Sequence, residues 1–178
     1  NNDSDRDDNR ARVLAAAEAF GRADWRYIAS NGAEGTAPAG PPSRVYPVAG
    51  QLIMRDGFGE KAQWAFFDAG PMGIGHWHYD KLHLSVAAYG RDILVDSGRF
   101  TYVGGPWREY FRGTASHNTV LINGAAQKEH AKTGGDISGQ FIRTDSFDAA
   151  YGAFEDGYVG FAGAARHERA VYYQRGVF

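Results

Sequence analysis

The sequence predicts a mostly β chain, an antiparallel β-sandwich preceded by one short N-terminal helical segment. Three observations carry this. Short apolar runs rich in Val, Ile, Tyr and Phe recur along most of the chain, glycines punctuate them, and helical periodicity is confined to the beginning. Between Asp7 and Ile28, apolar side chains recur at Val13, Leu14, Ala17, Phe20 and Ala23 behind an acidic start, as the helix dipole prefers, which predicts one helix broken near Gly21. Residues 30–43 are mostly Gly, Pro, Ala and Thr with almost no bulky apolar side chain, so they read as a linker, and the main domain is expected to begin there. The runs at 51–54, 63–67, 83–89, 93–95, 118–122, 140–143 and 170–174 then read as strands. Asp56-Gly57 and Gly90-Arg91 are the expected hairpin turns. Ile93-Leu94-Val95 does not alternate and predicts a central strand covered on both faces, whereas Leu84-Ser85-Val86 alternates and predicts one face toward water.

Composition removes several function classes. The chain has 178 residues, 43% hydrophobic and 22% charged, with no cysteine, which excludes a disordered chain, a disulfide scaffold and a thiolate metal site. Nineteen basic against 21 acidic side chains leave a net charge of -2, so there is no uniform field to hold nucleic acid, and an anionic partner must be met by a local cluster. No apolar run approaches the roughly 20 residues of a membrane helix, and the N-terminus lacks the profile of a signal peptide. The chain begins without Met and stops at Gly176-Val177-Phe178, which predicts a piece of a longer polypeptide.

The chemistry is concentrated in one segment. Four of the six histidines, His76, His78, His83 and His117, lie there with Asp80, Asp96, Arg99, Tyr102, Arg108, Tyr110 and Arg112. In an extended strand residues i and i+2 share a face, so His76 and His78 could converge on one metal or one substrate, with Asp80 continuing that face. Imidazole and carboxylate suit zinc; the competing reading is a pair of hydrogen-bonded histidines at a sheet edge. A two-residue turn at Gly90-Arg91 would pair Ser85 with Asp96 and leave His78 roughly 23 Å away at ~3.3 Å per residue. His78 and Asp96 can therefore meet only if residues 78–81 turn back, which the Gly-rich approach 70–75 permits; Asp80 is the local substitute ligand if they do not.

Four blocks in order resemble a known family: Phe67-Asp68-Ala69-Gly70-Pro71, Gly75-His76-Trp77-His78-Tyr79-Asp80-Lys81-Leu82, residues 89–98 (YGRDILVDSG), and residues 107–120 (WREYFRGTASHNTV). They are similar to the C-terminal β-sheet domain of the heparinase II/III-like polysaccharide lyases, over about Val45 to the C-terminus. The resemblance implies residues 1–36 as the end of a helical α/α-toroid domain and its linker, and 37–178 as the β-sandwich, truncated at its C-terminus. It implies β-elimination on an anionic uronic-acid polysaccharide, a heparin-like glycosaminoglycan or an alginate, by a periplasmic or secreted protein. His76 aligns with a catalytic-cleft histidine, and His78, Asp96 and His117 with a structural zinc triad beside the cleft. Tyr102 lies where some alginate-acting members place a cleft tyrosine, and Arg112 resembles an arginine able to grip a carboxylate. In the family a further Tyr, with an Asn or His, comes from the toroid, almost none of which is in this chain, so the chain alone is expected to be inactive.

The remaining candidates divide between chemistry and packing. Trp77 and Trp107 could stack on sugar, although core or loop packing is the commoner fate of Trp. Arg91, Arg99 and Arg108 read as surface residues, His83 as a hydrogen-bonded strand residue, His130 and His167 as lone histidines, and Asn118 as a backbone anchor. Two other classes compete with a lyase. A non-catalytic carbohydrate-binding sandwich would explain the aromatics alone. A cupin-type metal enzyme would need a Glu about four residues beyond the second His, where Leu82 and His83 stand.

Overall fold

The computed structural model describes residues 3–130, 140–175 and 177. The N-terminal helical segment is two helices, α1 (Asp3–Ala19) and α2 (Ala23–Ala29), separated where Gly21 takes a φ of +61°. Among the described residues, eight strands follow in two antiparallel sheets. The first orders β1 (Arg44–Tyr46), β2 (Gln51–Arg55), β3 (Trp64–Asp68), β4 (His83–Ala88) and β5 (Arg91–Leu94) as a meander; the second orders β6 (Phe141–Arg143), β7 (Phe147–Phe154) and β8 (His167–Gln174). Between the sheets in sequence lies α3 (Pro106–Arg112), followed by a 3₁₀ turn, Thr114–Ser116. Among the described residues no helix is long and apolar enough to cross a membrane.

The core lies between the sheets and is built from alternate residues of each strand. Leu52 and Met54 of β2, Ala65 and Phe67 of β3, Ala150 and Phe154 of β7, and Tyr173 of β8 meet Leu82 and Tyr158 from the loops. The two layers are so close at Gly152 that a Cβ there would lie 2.4 Å from Leu82 Cδ2 and 3.3 Å from Phe67 Cζ. The sheet edge is equally tight at Gly70, where a Cβ would fall 1.9 Å from the Ala49 carbonyl oxygen. Only glycine allows that approach, and it starts the long loop that carries the histidines.

Several expectations need correction. The hairpin between β4 and β5 turns at Tyr89-Gly90, not Gly90-Arg91: Ala88 pairs with Arg91, and both turn residues have positive φ (57° and 74°), the type I′ geometry that matches strand twist. A bulge at Val86/Ala87 then shifts the register. Asp56-Gly57 is not a two-residue turn. Arg55 pairs with Trp64, and the longer connection is closed by Asp56, which binds Gln63 through backbone and carboxylate. Strand β5, expected at the centre, is an edge strand with Ile93 55% exposed, so its apolar run does not signal burial on both faces. Residues 118–122 form no strand; this segment is anchored through side chains, Asn118 Nδ2 donating to the Leu84 and Val95 carbonyls and Thr119 Oγ1 to that of Lys81. Helix α3 and strand β7 were not expected. The inward residues of β7 include Asp148, Ala150 and Gly152, too polar or too small to display a hydrophobic period.

Candidate functional site

The loop between β3 and β4 leaves the sheet at Asp68 and returns at His83, and its last residues are fixed by their backbone. Tyr79 N–H donates to the Arg112 carbonyl (2.9 Å), and Thr114 Oγ1 donates to the Tyr79 carbonyl (2.7 Å). Buried Gln127 clamps Lys81, accepting from its N–H and donating to its carbonyl, both at 2.9 Å. Arg169 of β8 donates from one nitrogen to the Leu82 and Asn118 carbonyls at 2.7 Å, tying the second sheet to the loop. His83 N–H closes a turn onto the Asp80 carbonyl, and Leu82 takes a φ of +64°. Residues 78–82 thus turn back, which is what His78 and Asp96 require in order to approach one another.

At the exposed tip, His76 has a φ of +53°, a strained conformation for a non-glycine residue. Its Nδ1 lies 3.3 Å from Tyr102 Oη, with the ring centroids 5.0 Å apart. Two guanidiniums lie over the Tyr102 ring, Arg99 at 4.0 Å and Arg108 at 4.9 Å. The structure therefore brings together the two residues proposed for catalysis, inside a local positive cluster. Arg112 and Trp77 also meet, the guanidinium 4.1 Å from the ring centroid, while Arg112 lies 4.0 Å from Glu109.

Behind this tip is a cluster centred on buried His117, with His83 also buried, His78 and Asp80 half-buried and Asp96 exposed. The His117 Nδ1 is 2.7 Å from Asp96 Oδ2, and its ring is stacked obliquely on that of His78, centroids 5.0 Å apart. Ligand atoms of His78, Asp80 and His117 lie within 4.8 Å of one another, as do those of His83, Asp96 and His117. His117 Nε2 is buried and has no hydrogen-bond partner, an orphaned lone pair that a cation would satisfy. Nitrogen and oxygen donors of this kind fit zinc.

Electrostatics follow burial. Burial pushes the Asp80 carboxyl up to about 6, partly offset by His117. Burial also pushes Asp96 up, but hydrogen bonds from His117 and Gly98 outweigh it and hold the carboxyl below its usual range. Burial lowers His78, helped by His117. His83 falls furthest, to about 4, through burial that the Asp96 charge only partly offsets.

A pH dependence follows for the metal-free protein. The folded ring of His83 resists a proton that the unfolded chain accepts near ~6.5. Stability contributed by His83 is therefore complete above ~6.5 and lost as pH falls through about 4, in all about 3 kcal/mol. Asp80 acts oppositely, losing stability as pH rises from its unfolded value of 3.8 through about 6. Denaturation midpoints at pH 7.5, 5 and 4 should show His83→Gln losing less stability on acidification than the wild type; equal slopes would refute this.

Sequence reasoning left two histidines out of the site. His83, read as a strand residue, accepts the Asn118 N–H at Nδ1 and reaches Ser85 Oγ (2.7 Å) and Asp96 Oδ2 (3.5 Å) with Nε2. His130, read as lone, borders a cavity of about 170 Å³ with His76, His78, Asp80 and Lys81. The Ser85 contact lies within β4, as expected of a hydrogen-bonded strand residue; no local pattern predicts the reach of His83 to Asp96 or the place of His130, since both depend on how distant loops meet. Tyr110 packs edge-on against Phe111, and Trp107 lies 6.1 Å from Phe100; neither is shown in contact with His76 or His117.

Comparison with known proteins gives this arrangement its context. A heparin-sulfate lyase of Bacteroides stercoris is 29% identical over 102 residues, which are 55% of this chain and 15% of that protein. The heparan sulfate lyase HepC from Pedobacter heparinus superposes with a TM-score of 0.76 at 21% identity, over 95% of this chain and 26% of that one. A heparinase III structure superposes with a TM-score of 0.66 at 23% identity, over 91% of this chain and 26% of that one. At these identities the superpositions establish the fold, and this chain spans about a quarter of the length of those solved structures. The family model described as heparinase II/III-like, C-terminal, matches residues 38–176. With most of its length inside that match, the chain belongs to the heparinase II/III-like family, as its C-terminal domain.

Proposed function

We propose that this chain forms one wall of the cleft of a polysaccharide lyase that cleaves a heparin-like uronic-acid polymer by β-elimination. The observation that carries the reading is the His76–Tyr102 pair, 3.3 Å apart on the exposed tip of a braced loop and flanked by Arg99 and Arg108. The names of the relatives support the substrate class. In the reaction a base takes the C5 proton, the electron pair forms the C4–C5 double bond, the C4–O4 bond breaks, and an acid protonates the departing O4. His76 and Tyr102 share a hydrogen bond and can hand a proton between them. The nearby guanidiniums favour the charge that develops on the C6 carboxylate as C5–H is lost. The remaining acid or base is assigned to a preceding toroid domain, and the polymer to the periplasm or the cell exterior. Zinc at the His78–Asp96–His117 group would supply a fixed cross-link, keeping the 76–82 loop in place without entering the chemistry.

The test uses the full-length protein that carries this domain, incubated with heparan sulfate and, separately, with alginate. An ultraviolet absorbance from the unsaturated product should grow with heparan sulfate. A second reading, a carbohydrate-binding wall without chemistry, is favoured by the exposed aromatics Phe100 (68%) and Trp107 (62%). Binding of the polymer with no absorbance change would select it and overturn the lyase assignment.

A further inference from the structure

We propose that Phe100 and Trp107 form a sugar-stacking shelf beside the His76–Tyr102 pair, and that this shelf holds a pyranose ring of the polymer next to the bond that is cut. The inference deepens the proposed function and rests on it for the identity of the polymer.

The shelf is assembled without a ligand. Helix α3 buries none of its residues. Trp107 on it is 62% exposed, so the usual fate of a tryptophan, burial in a core or under a loop, does not account for it. Phe111, half-buried one turn further on, stacks against Phe100 with centroids 5.3 Å apart and planes 18° from parallel. Trp107 lies 6.1 Å from Phe100 and 6.5 Å from Phe111. Phe100 is 68% exposed and takes a φ of +56°, a conformation that bulky side chains rarely adopt. Its backbone is strained without the reward of burial, and strain of this kind clusters where ligands are held.

Placement and charge choose the occupant. Phe100 and Tyr102 are two residues apart, at most ~7 Å along the backbone. Arg108, next to Trp107, donates from Nη1 to the Thr101 carbonyl at 3.1 Å and holds its guanidinium 4.9 Å from the Tyr102 ring centroid, so α3 is tied to the segment that carries the pair. Arg99 lies 4.0 Å from the same centroid. Among the described residues neither guanidinium is ion-paired with a carboxylate. The result is an apolar surface edged by two uncompensated cations. A uronate-containing chain is its complement, since the faces of each ring carry C–H groups and the rim carries hydroxyls and a carboxylate. Carbon contact at ~3.5–4.0 Å on each side would require rings ~7–8 Å apart to sandwich a sugar. At 6.1 Å the sugar lies on the outward face of the shelf, not between its rings.

The experiment separates binding from chemistry, on the full-length protein with size-fractionated heparan sulfate oligosaccharides. Affinity is read by titration calorimetry in a His76→Ala background, which slows turnover, and KM and kcat are read with His76 in place. Trp107→Ala should raise both the dissociation constant and KM by about 10-fold and leave kcat within about twofold, because a stacked ring is held equally in the ground and transition states. Trp107→Phe, which keeps a flat face, should retain most of the affinity; Trp107→Leu, apolar but not flat, should not. Phe100→Ala should weaken binding in the same direction. Wild-type affinity in both Ala variants overturns the shelf. A lowered melting temperature with unchanged affinity also overturns it, by showing that the rest of the protein covers this face. In both of those cases, cleavage by the wild type leaves the lyase reading standing. Conversely, a 10-fold loss of affinity in Trp107→Ala, from a wild type that forms no unsaturated product, keeps the shelf and overturns the lyase. A wild type that does not bind the polymer overturns both.

Discussion

Replacing His76 by Ala in the full-length protein is expected to lower kcat/KM on a uronic-acid polymer by about 10² to 10⁴-fold, the usual worth of a positioned proton-transfer group. The loss should fall mainly on kcat, because a group that moves a proton in the transition state contributes little to ground-state binding. Folding should be unaffected. His76 is exposed, and its described contact is with Tyr102, itself 52% exposed, so the substitution opens no cavity. Ala must hold the same positive φ, which His tolerates somewhat better, so the swap adds only a small backbone cost at this one residue. Tyr102→Phe is the companion variant. It keeps the ring between Arg99 and Arg108 and removes only the hydroxyl, so it should lower kcat in the same direction. Wild-type kcat/KM in both variants would remove the His76–Tyr102 pair from the mechanism.

The largest expected effect on stability lies on the opposite edge of the sandwich. Asp148, on the inward face of β7, is completely buried; it accepts a hydrogen bond from Ser43 Oγ at 2.5 Å and is ion-paired with Arg175. Ser43 in turn bonds the Arg55 N–H and carbonyl, so this one carboxylate links β7 to the β1–β2 edge of the other sheet. Asp148→Ala removes one partner of a buried pair and leaves the Arg175 charge uncompensated, which typically costs about 3–5 kcal/mol. Urea midpoints should fall accordingly with an unchanged slope. The double variant with Arg175→Met should recover a large part of the loss, because the cost is mostly that of the stranded charge. A single-variant loss below about 1 kcal/mol would mean that water reaches Arg175 freely.

What could be read in the sequence was what local chemistry controls. Gly21 marks the helix break, and the short apolar run Leu52-Ile53-Met54 marks a strand. The glycines at 70, 73 and 75 announce an irregular loop before β4, and the histidines on it are visible as His-x-His. Where reading failed, the deciding force was not local. Strand β7 hides because its inward positions hold a carboxylate, Asp148, and a glycine packed under Leu82. The β4–β5 register moved because Tyr89 accepts a left-handed conformation and a bulge follows, both set by sheet twist. Strand β5 carries the apolar run of a central strand at an edge, so hydrophobicity alone misplaced it.

The sequence by itself therefore determined a mostly β domain, the crowding of His, Asp, Arg and Tyr into one segment, and the family resemblance carried by that segment. Only the tertiary structure decided which of those side chains meet. His76 and Tyr102 are 26 residues apart and become hydrogen-bond partners because the loop after β5 folds back over the loop before β4. His117 receives Asp96 on one nitrogen and leaves the other bare because Gln127, Thr119 and Arg169, all remote in sequence, clamp the backbone of residues 81 and 82. Spacing limits what a short chain can reach. Which lone pairs end up satisfied depends on long-range packing, because each buried donor or acceptor must find whatever partner the fold brings to it.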